Sequence, residues 1–177
     1  VSCKEAVMNI VVSLQHVVDA LDMQGDELHA YLNKVTGELI TVTTEALSAI
    51  EEGEEWDDEP QWQQDVLEDA RQVFASDDYL PLPSKFDIHE YSIMEEFCNS
   101  LEKPRLRDEM TSRIRGSGAF RRFKDGIHYH GIQEDWYRFR QQALEAIAIE
   151  WLEDNDIAYT RGNDRSTEGR EVAQDGS

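Results

Sequence analysis

The sequence contains few residues that would staple or anchor the chain. Its two cysteines, Cys3 and Cys98, lie far apart, so we expect no disulfide framework and a reducing compartment. No apolar run approaches the ~20 residues that a membrane span needs, and the first residues lack the hydrophobic region of a signal peptide. We therefore expect a cytoplasmic protein of bacterial type. The chain begins with Val, and Met8 offers an alternative start.

Signatures of catalysis are also scarce. There is no Gly-x-Ser-x-Gly nucleophile elbow, and the Gly116–Gly118 turn lacks the Lys-Ser/Thr of a phosphate-binding loop. Cys98 falls on the apolar face of a predicted helix, where a thiol is usually inert. Among 38 acidic residues, neighbouring carboxylates arise by chance. The sequence leaves open whether the protein is an enzyme, leans toward a non-catalytic role and indicates no cofactor.

Charge, by contrast, is abundant and unevenly distributed. Within a net charge of −21, residues 1–102 carry 24 acidic and 4 basic side chains, whereas residues 103–140 carry 5 acidic and 10 basic ones. Residues 141–177 are acidic again, with 9 acidic and 3 basic side chains. Overall acidity argues against non-specific nucleic-acid binding and favours solubility. Residues 103–140, called here the basic segment, are therefore the best indication of function.

The basic segment contains a candidate anion site. A serine between two glycines opens a predicted helix, so backbone N–H groups and the helix dipole could hold a phosphate, a nucleotide or a nucleic-acid backbone. The predicted ligand-binding residues are Arg115, Gly116, Ser117, Gly118, Arg121, Arg122, Lys124, Arg138 and Arg140. The alternative is that these cations neutralise the protein's own acidic half through ion pairs, each worth only ~0–1 kcal/mol.

Two other features of the basic segment are weaker candidates. If their stretch is extended, His128 and His130 point to one side and supply two metal ligands. A third ligand would come from Asp125, Glu134 or Asp135. Two histidines without a fixed third ligand fall short of a zinc signature, so no metal site is predicted. The run Trp136–Arg140 mixes aromatic and Arg side chains, which are enriched in binding hot spots and could stack on bases.

Hydrophobic periodicity predicts an α+β fold, a mostly helical single domain with a small antiparallel β-hairpin packed on a long C-terminal helix. The long helix spans Gln133–Glu153, and the hairpin spans Leu28–Val42 with Gly37 at positive φ in its turn. Ile157–Thr160 is the candidate for a third short strand that joins the hairpin. The expected organisation is an extension over residues 1–12, one domain over 13–160 and a disordered acidic tail over 161–177.

Caps and prolines locate the shorter helices. Ser13 is expected to cap the first helix, Thr43 or Thr44 the second, Asp87 with Glu90 a later one, and Ser117 the helix within the basic segment. Pro60 and Pro104 suit the first turns of two others. The predicted inward faces include Trp62, Val66, Ala70, Val73 and Phe74 after Pro60, and Phe120 with Phe123 after Ser117.

Three stretches together resemble an uncharacterised bacterial protein family of short acidic proteins. They are YLNKVTGELITV, then DYLPLP followed by DIHEYSIMEEFCNSL, then GAFRRFKDGI with EDWYRFRQQALEAIAIEWLED. The resemblance covers residues from about Ser13 to Tyr159. It implies no assigned activity, catalytic residue, cofactor or substrate, so function has to be argued from the residues.

Three functions remain open. The leading hypothesis is a non-catalytic binding or regulatory protein that recognises a protein partner or an anionic ligand through a basic face near residues 103–140. The second is an enzyme acting on a phosphorylated or nucleic-acid substrate, with His128 or His130 as general acid or base. It requires a pocket that holds one of them beside Arg121 or Arg122. The third is an acidic nucleic-acid mimic, which requires a continuous negative surface around Glu51–Glu59.

Overall fold

The computed structural model describes residues 10–162, which form eight helices and five short strands. In chain order they are β1 (Val11–Ser13), α1 (Leu14–Met23), β2 (Leu28–Asn33), β3 (Leu39–Thr43), α2 (Thr44–Glu52), α3 (Gln61–Ala75), β4 (Tyr79–Pro81), α4 (Lys85–Ile88), α5 (Glu90–Ser100), α6 (Pro104–Arg113), α7 (Ala119–Tyr129), α8 (Gln133–Asp154) and β5 (Ala158–Thr160). The fold class is α+β, as predicted. The predictions for residues 1–9 and 163–177 lie outside the described residues.

The predicted hairpin is confirmed. Strands β2 and β3 pair antiparallel, with Leu28 opposite Thr43 and Leu32 opposite Leu39. Gly37 adopts φ +77° in the connecting turn, a conformation that costs glycine nothing because it has no Cβ.

The third strand of this sheet is not the one expected. Tyr79–Pro81 forms β4 and pairs with β2, because prolines 81 and 83 keep the residues before them extended. The chain end at Ala158–Thr160 instead pairs in parallel with Val11–Ser13, far along the sequence. Strand β1 thus includes Val11 and Val12, two residues that the expected organisation assigned to the N-terminal extension.

The three-stranded sheet separates two apolar cores. Ile40 and Val42, two residues apart, face helices α2 and α3, where they bury Leu67 and Ala70. The opposite face carries Leu32 into the main core with α1 and α5 to α8. Helix α1 packs on β2 and β3 and also along α8, so it forms the layer between the sheet and the long C-terminal helix.

The long helix α8 is confirmed within one residue of its predicted ends. Its fully buried row runs in four-residue steps through Leu144, Ala148 and Leu152, and it begins at Trp136. Arg140 occupies the remaining position of this row, and its side chain is 25% exposed. A charged residue in a buried row requires compensating partners, and this position proves central to the candidate site.

Two of the predicted caps are confirmed and two are wrong. Ser13 accepts a hydrogen bond from the N–H of His16, and Thr43 accepts one from the N–H of Ala46. The capping box is formed by Ser84 and Asp87 ahead of α4, not by Asp87 and Glu90. The pair with matching spacing thus lies three residues earlier.

The cap predicted at Ser117 is also wrong. Gly118 is the N-cap of α7, in the left-handed region at φ +76°, and no side chain caps this helix.

Burial is only partly as predicted on two helices. Phe123 is buried but Phe120 is 51% exposed, and on α3 Trp62 and Phe74 are exposed while Leu67 is buried. The inward stripe of each helix is rotated away from these aromatic rings.

No helix within residues 10–162 has the length and apolar character that a transmembrane span requires.

Candidate functional site

A cleft of about 430 Å³ lies where the end of α1 and the start of α5 meet helices α7 and α8. We call it the α7–α8 cleft. Its charged lining consists of Asp22, Glu90, Lys124, His128 and Arg140, and its aromatic lining consists of Phe120, Phe123, Trp136 and Tyr137. The cleft combines two cations predicted as ligand-binding residues with one of the two candidate histidines.

A rigid aromatic cluster forms the floor of the cleft. The rings of Phe123 and Trp136 meet edge to face with centroids 4.7 Å apart. Phe97 packs behind them at 6.0 Å from Phe123 and 5.3 Å from Trp136, also edge to face. Such pairs add ~0.5–1.5 kcal/mol beyond the area they bury. The floor is therefore preformed, and the cleft does not depend on a mobile loop.

Arg140 closes one end of the cleft with two carboxylates. Its Nε donates to Oε1 of Glu90 at 2.6 Å, and one terminal nitrogen donates to Oδ1 of Asp22 at 2.5 Å. Burial works against the charged form of Arg140, but the hydrogen bonds that it donates to Glu90 and Asp22 outweigh this effect and raise the pKa of the guanidinium. Arg140 therefore ties α8 to α5 and α1, and its charge is largely matched within the fold.

Lys124 and His128 supply the remaining nitrogen donors of the cleft. They lie four residues apart on α7, so they share one face of the helix. Nδ1 of His128 is 2.8 Å from the amide nitrogen of Gln133. Because that amide N–H donates to Nδ1, the ring proton is on Nε2, which is free to donate to a ligand. Lys124 has no carboxylate within 4.0 Å among the described residues, so the pair can accept an anionic group.

The turn that was predicted to bind an anion is braced by one of its own arginines. Nε of Arg122 donates to the carbonyl of Arg113 at 2.8 Å, and its terminal nitrogens donate to the carbonyls of Ser117, at 2.5 Å, and Arg115. These bonds close the end of α6 onto the start of α7. The guanidinium expected to surround a ligand thus holds the 113–118 turn in shape.

Most cations of the basic segment have no acidic partner. Of its ten Lys and Arg residues, only Arg113, Arg138 and Arg140 lie within 4.0 Å of a carboxylate in the described chain. The exposed cations without such a partner are Lys103, Arg105, Arg115, Arg121 and Lys124. The alternative interpretation, in which the acidic half neutralises the segment pair by pair, accounts for only three of the ten.

The predicted ligand-binding residues are not all in one place. Lys124 and Arg140 line the α7–α8 cleft, whereas Arg138 lines a separate groove of about 410 Å³ on the other flank of α8, with Lys103 and Phe139. Arg138 lies 3.8 Å from Asp135, and both side chains are largely exposed. Arg115 and Gly116–Gly118 lie in the exposed turn beside the cleft.

The two histidines considered as metal ligands point to different partners. His128 faces the cleft, whereas Nε2 of His130 is cut off from solvent and lies 3.1 Å from Oε1 of Glu109, poorly aligned for a hydrogen bond. Glu109 accepts hydrogen bonds from Arg113, and these bonds lower the pKa of the carboxyl, with a smaller contribution from the nearby His130 imidazole. Within residues 10–162, no three His, Cys, Asp or Glu side chains come together as metal ligands.

The acidic part of the chain forms its own surface on the far side of the sheet. Residues 34–78 carry 14 acidic and two basic side chains, a net charge of −12. Around α3, burial and the negative charges of Glu38, Asp65 and Glu68 raise the pKa of the Asp69 carboxyl. Acidic side chains from the hairpin turn and from α3 therefore lie close together, whereas the nucleic-acid mimic hypothesis requires a continuous negative surface around Glu51–Glu59.

The sequence did not indicate Asp22 and Glu90 as parts of the site. One signal was available, because Arg140 stands four residues after Trp136 and four before Leu144 on the most strongly apolar row of α8. A charge at that position predicts buried partners, although not which ones.

Comparison with known proteins identifies an uncharacterised family and a relative that carries its name. The model of an uncharacterised protein family, UPF0158, matches residues 8–174. A UPF0158 protein of Pseudomonas aeruginosa is 32% identical over 66 residues, which cover 37% of this chain and 43% of the relative. The matched part thus spans less than half of that protein. No solved structure matches the chain.

Proposed function

The chain belongs to the uncharacterised protein family UPF0158. We propose that it is a non-catalytic binding protein, and that its α7–α8 cleft recognises the anionic group of a partner molecule. The observation that carries the proposal is the pairing of Lys124 with His128 on one wall of a preformed aromatic cleft. Neither side chain is matched by a carboxylate of the described chain. We further propose that the protein acts in the bacterial cytoplasm. The free, buried thiol of Cys98 supports this location, and cell fractionation would test it.

The chemistry of the cleft favours an anion attached to an apolar or aromatic body. Lys124 and the Nε2–H of His128 donate to anionic oxygens, and charge-assisted hydrogen bonds are about twice as strong as neutral ones. Phe120 and Tyr137 offer exposed ring surface beside these donors. Glu90 does not repel the anion strongly, because Arg140 neutralises its carboxylate. The ligand thus gains charge pairing and ring contact in one site.

Phenyl phosphate combines both features and is the probe for a first test. We expect calorimetric titration to give saturable binding, and Lys124→Glu to weaken it about tenfold or more, which corresponds to ~1.4 kcal/mol. The matched control is Lys34→Glu, the same charge reversal at an exposed lysine on the hairpin turn. If both variants weaken phenyl phosphate binding equally, the effect comes from the overall charge of the protein, and the cleft is not the binding site.

An enzyme of phosphorylated substrates is less well supported. That hypothesis required a histidine beside Arg121 or Arg122, whereas the cleft has His128 beside Lys124. His128 is also oriented by the amide of Gln133 and not by a carboxylate, which is the group that orients the histidine of a catalytic triad. Hydrolysis of p-nitrophenyl phosphate that disappears in His128→Asn would favour the enzyme over the binding protein.

The acidic nucleic-acid mimic remains a second candidate function because of one observation. Glu38 of the hairpin turn and Asp65 and Glu68 of α3 lie near enough to Asp69 to add to the effect of burial, which raises the pKa of its carboxyl. All four belong to a region of net charge −12. This candidate predicts that the protein displaces duplex DNA from a non-specific DNA-binding protein. It also predicts that Asp65→Asn/Glu68→Gln weakens the displacement while Lys124→Glu does not.

A further inference from the structure

A second, shallower hollow of about 550 Å³ adjoins the α7–α8 cleft and has no role in the function proposed above. Phe86, Tyr91 and Phe120 line it, and they are 75%, 42% and 51% exposed. We call these three residues the aromatic surface. Glu90 and Phe120 line both hollows, so the aromatic surface and the cleft are continuous.

The aromatic surface is held in place by local backbone structure. Phe86 lies on the short helix α4, which the capping box of Ser84 and Asp87 fixes at its start and buried Ile88 fixes at its end. His89 follows in the left-handed region at φ 51°, an uncommon conformation for a residue with a Cβ. This abrupt junction turns the chain so that Phe86 of α4 and Tyr91 of α5 line the same hollow.

Positive side chains without partners border the aromatic surface. The hydroxyl of Tyr91 donates to the carbonyl of Ile114 at 3.0 Å, which brings the 113–118 turn with Arg115 next to the hollow. Arg121 follows Phe120 directly, and Lys124 lies one turn further along α7. None of these three cations has a carboxylate within 4.0 Å in residues 10–162. The aromatic surface thus has cations without described partners on the neighbouring turn and helix. Of the charged residues that line the hollow itself, Lys85 pairs with Asp26 and Glu90 pairs with Arg140.

Resting on the function proposed above, we propose that the partner molecule is a protein, and that its bound part is an acidic amphipathic segment lying across the cleft and the aromatic surface. Exposed aromatic side chains gathered on one patch are typical of protein interfaces, and the unpaired cations select an acidic partner by charge complementarity. Two contiguous hollows suit a chain segment that anchors at two points, with an acidic side chain at Lys124 and an apolar one at Phe86.

The remaining charge of the protein does not oppose this docking at close range. Fourteen of the 38 acidic side chains belong to residues 34–78, whose helices α2 and α3 pack on the other face of the sheet. At physiological ionic strength charges are screened over ~8 Å, so the acidic side chains of that region act weakly on a docked segment. The carboxylates that line the hollows, Asp22 and Glu90, are paired with Arg140.

Panning a random peptide library against the full chain tests this inference. Peptides of about 16 residues suffice, since a helix of that length is about 24 Å long. We expect the enriched peptides to be net acidic and to carry aromatic or aliphatic residues. We expect Phe86→Ser to weaken the best of them about tenfold or more. Phe74→Ser is the matched control, because Phe74 is a half-exposed ring on α3, away from the hollow.

The two proposals fail in different ways. If wild type binds phenyl phosphate through Lys124 but enriches only basic peptides, or peptides indifferent to Phe86→Ser, the inference about the partner is overturned and the anion site stands. If acidic peptides require Phe86 but phenyl phosphate does not bind, anion recognition in the cleft is wrong. If wild type binds neither, both proposals fall.

Discussion

Replacing Arg140 tests how the candidate site is held together. Arg140→Met keeps the aliphatic stem, which packs within the buried row of α8, but removes the charge and all its donors. Glu90 and Asp22 then lose a partner each, and their side chains are 31% and 55% exposed. Because Glu90 is the less exposed acid, water compensates its carboxylate less, and the loss of the guanidinium costs more stabilising free energy at Glu90 than at Asp22.

The expected cost follows from these environments. A hydrogen bond to a charged group contributes roughly 1.5–3 kcal/mol when water is largely excluded, whereas an exposed ion pair contributes ~0–1 kcal/mol. We therefore expect a coupling of about 1.5 kcal/mol for the Glu90 pair and about 0.5 kcal/mol for the Asp22 pair. Arg140→Met should lower the free energy of unfolding by about 2 kcal/mol, a change that shifts a urea midpoint by about 1 M.

Double-mutant cycles measure these couplings separately. Urea denaturation followed by circular dichroism is needed for Arg140→Met, Glu90→Gln and Asp22→Asn alone, and for Arg140→Met combined with each acid variant. The Glu90 cycle should give the larger coupling. A coupling near zero for Glu90, or a larger one for Asp22, would refute the reasoning that burial decides the strength of each pair.

Three further predictions concern stability and reactivity. Ser84→Ala should destabilise the protein by about 1 kcal/mol in urea unfolding. The backbone and hydroxyl hydrogen bonds of Ser84 lower the pKa of Asp87. The stabilisation from the Asp87 charge is therefore present above its unfolded pKa and is lost as pH falls through the folded pKa. We expect Asp87→Asn to lower the free energy of unfolding at pH 7, and to lower it progressively less as the pH falls through that range. Gly126→Ala should cost about 1–3 kcal/mol by thermal unfolding, because its Cβ would lie 2.7 Å from Sδ of buried Met110. Burial raises the pKa of Cys98 to about 11, so iodoacetamide should not label it at pH 8 until urea unfolds the chain.

Each of these predictions has a contrary outcome. Gly25→Ala is the control for Gly126→Ala, because nothing lies within 4 Å of the added Cβ, and equal costs would dismiss the close approach of α6 and α7. If the free energies of unfolding of Asp87→Asn and wild type differ by the same amount at every pH, the Asp87 charge does not have the role given to it. Fast labelling of Cys98 in folded protein would show that the thiol is accessible.

Elements with strong local signals were predictable. The alternation around Gly37 predicts the hairpin, and the apolar spacing of Gln133–Glu153 predicts α8, because a single chemical periodicity runs through each. The caps at Ser13 and Thr43 are also local signals, since each is a polar residue that precedes an amphipathic helix. These features depend on residues near one another in the chain.

The errors come from choices that local sequence leaves open. Two short apolar stretches, Tyr79–Pro81 and Ala158–Thr160, compete for the edge of β2, and only long-range packing decides between them. The orientation of an amphipathic helix is similarly decided by its neighbours, so Phe120 was assigned to the core although it lies on the surface.

The candidate site was predictable in composition but not in geometry. The excess of cations in residues 103–140 was visible from residue counts. The counts did not show that Lys124 and Arg138 would line separate hollows on the two flanks of α8. The acids that hold Arg140 come from α1 and α5, more than 45 residues away in sequence. Pairings over such separations are fixed by tertiary packing, which no local spacing encodes.

The most direct test of anion recognition in the cleft is to follow the histidine rings by ¹H–¹⁵N NMR while phenyl phosphate is added. His128 faces the cleft, whereas His16 is exposed on α1, outside it. We predict that the ring signals of His128 shift and saturate with the same Kd that calorimetry gives, while those of His16 stay in place. Equal shifts at both rings, or a stationary His128 at saturating phenyl phosphate, would contradict anion recognition at this site.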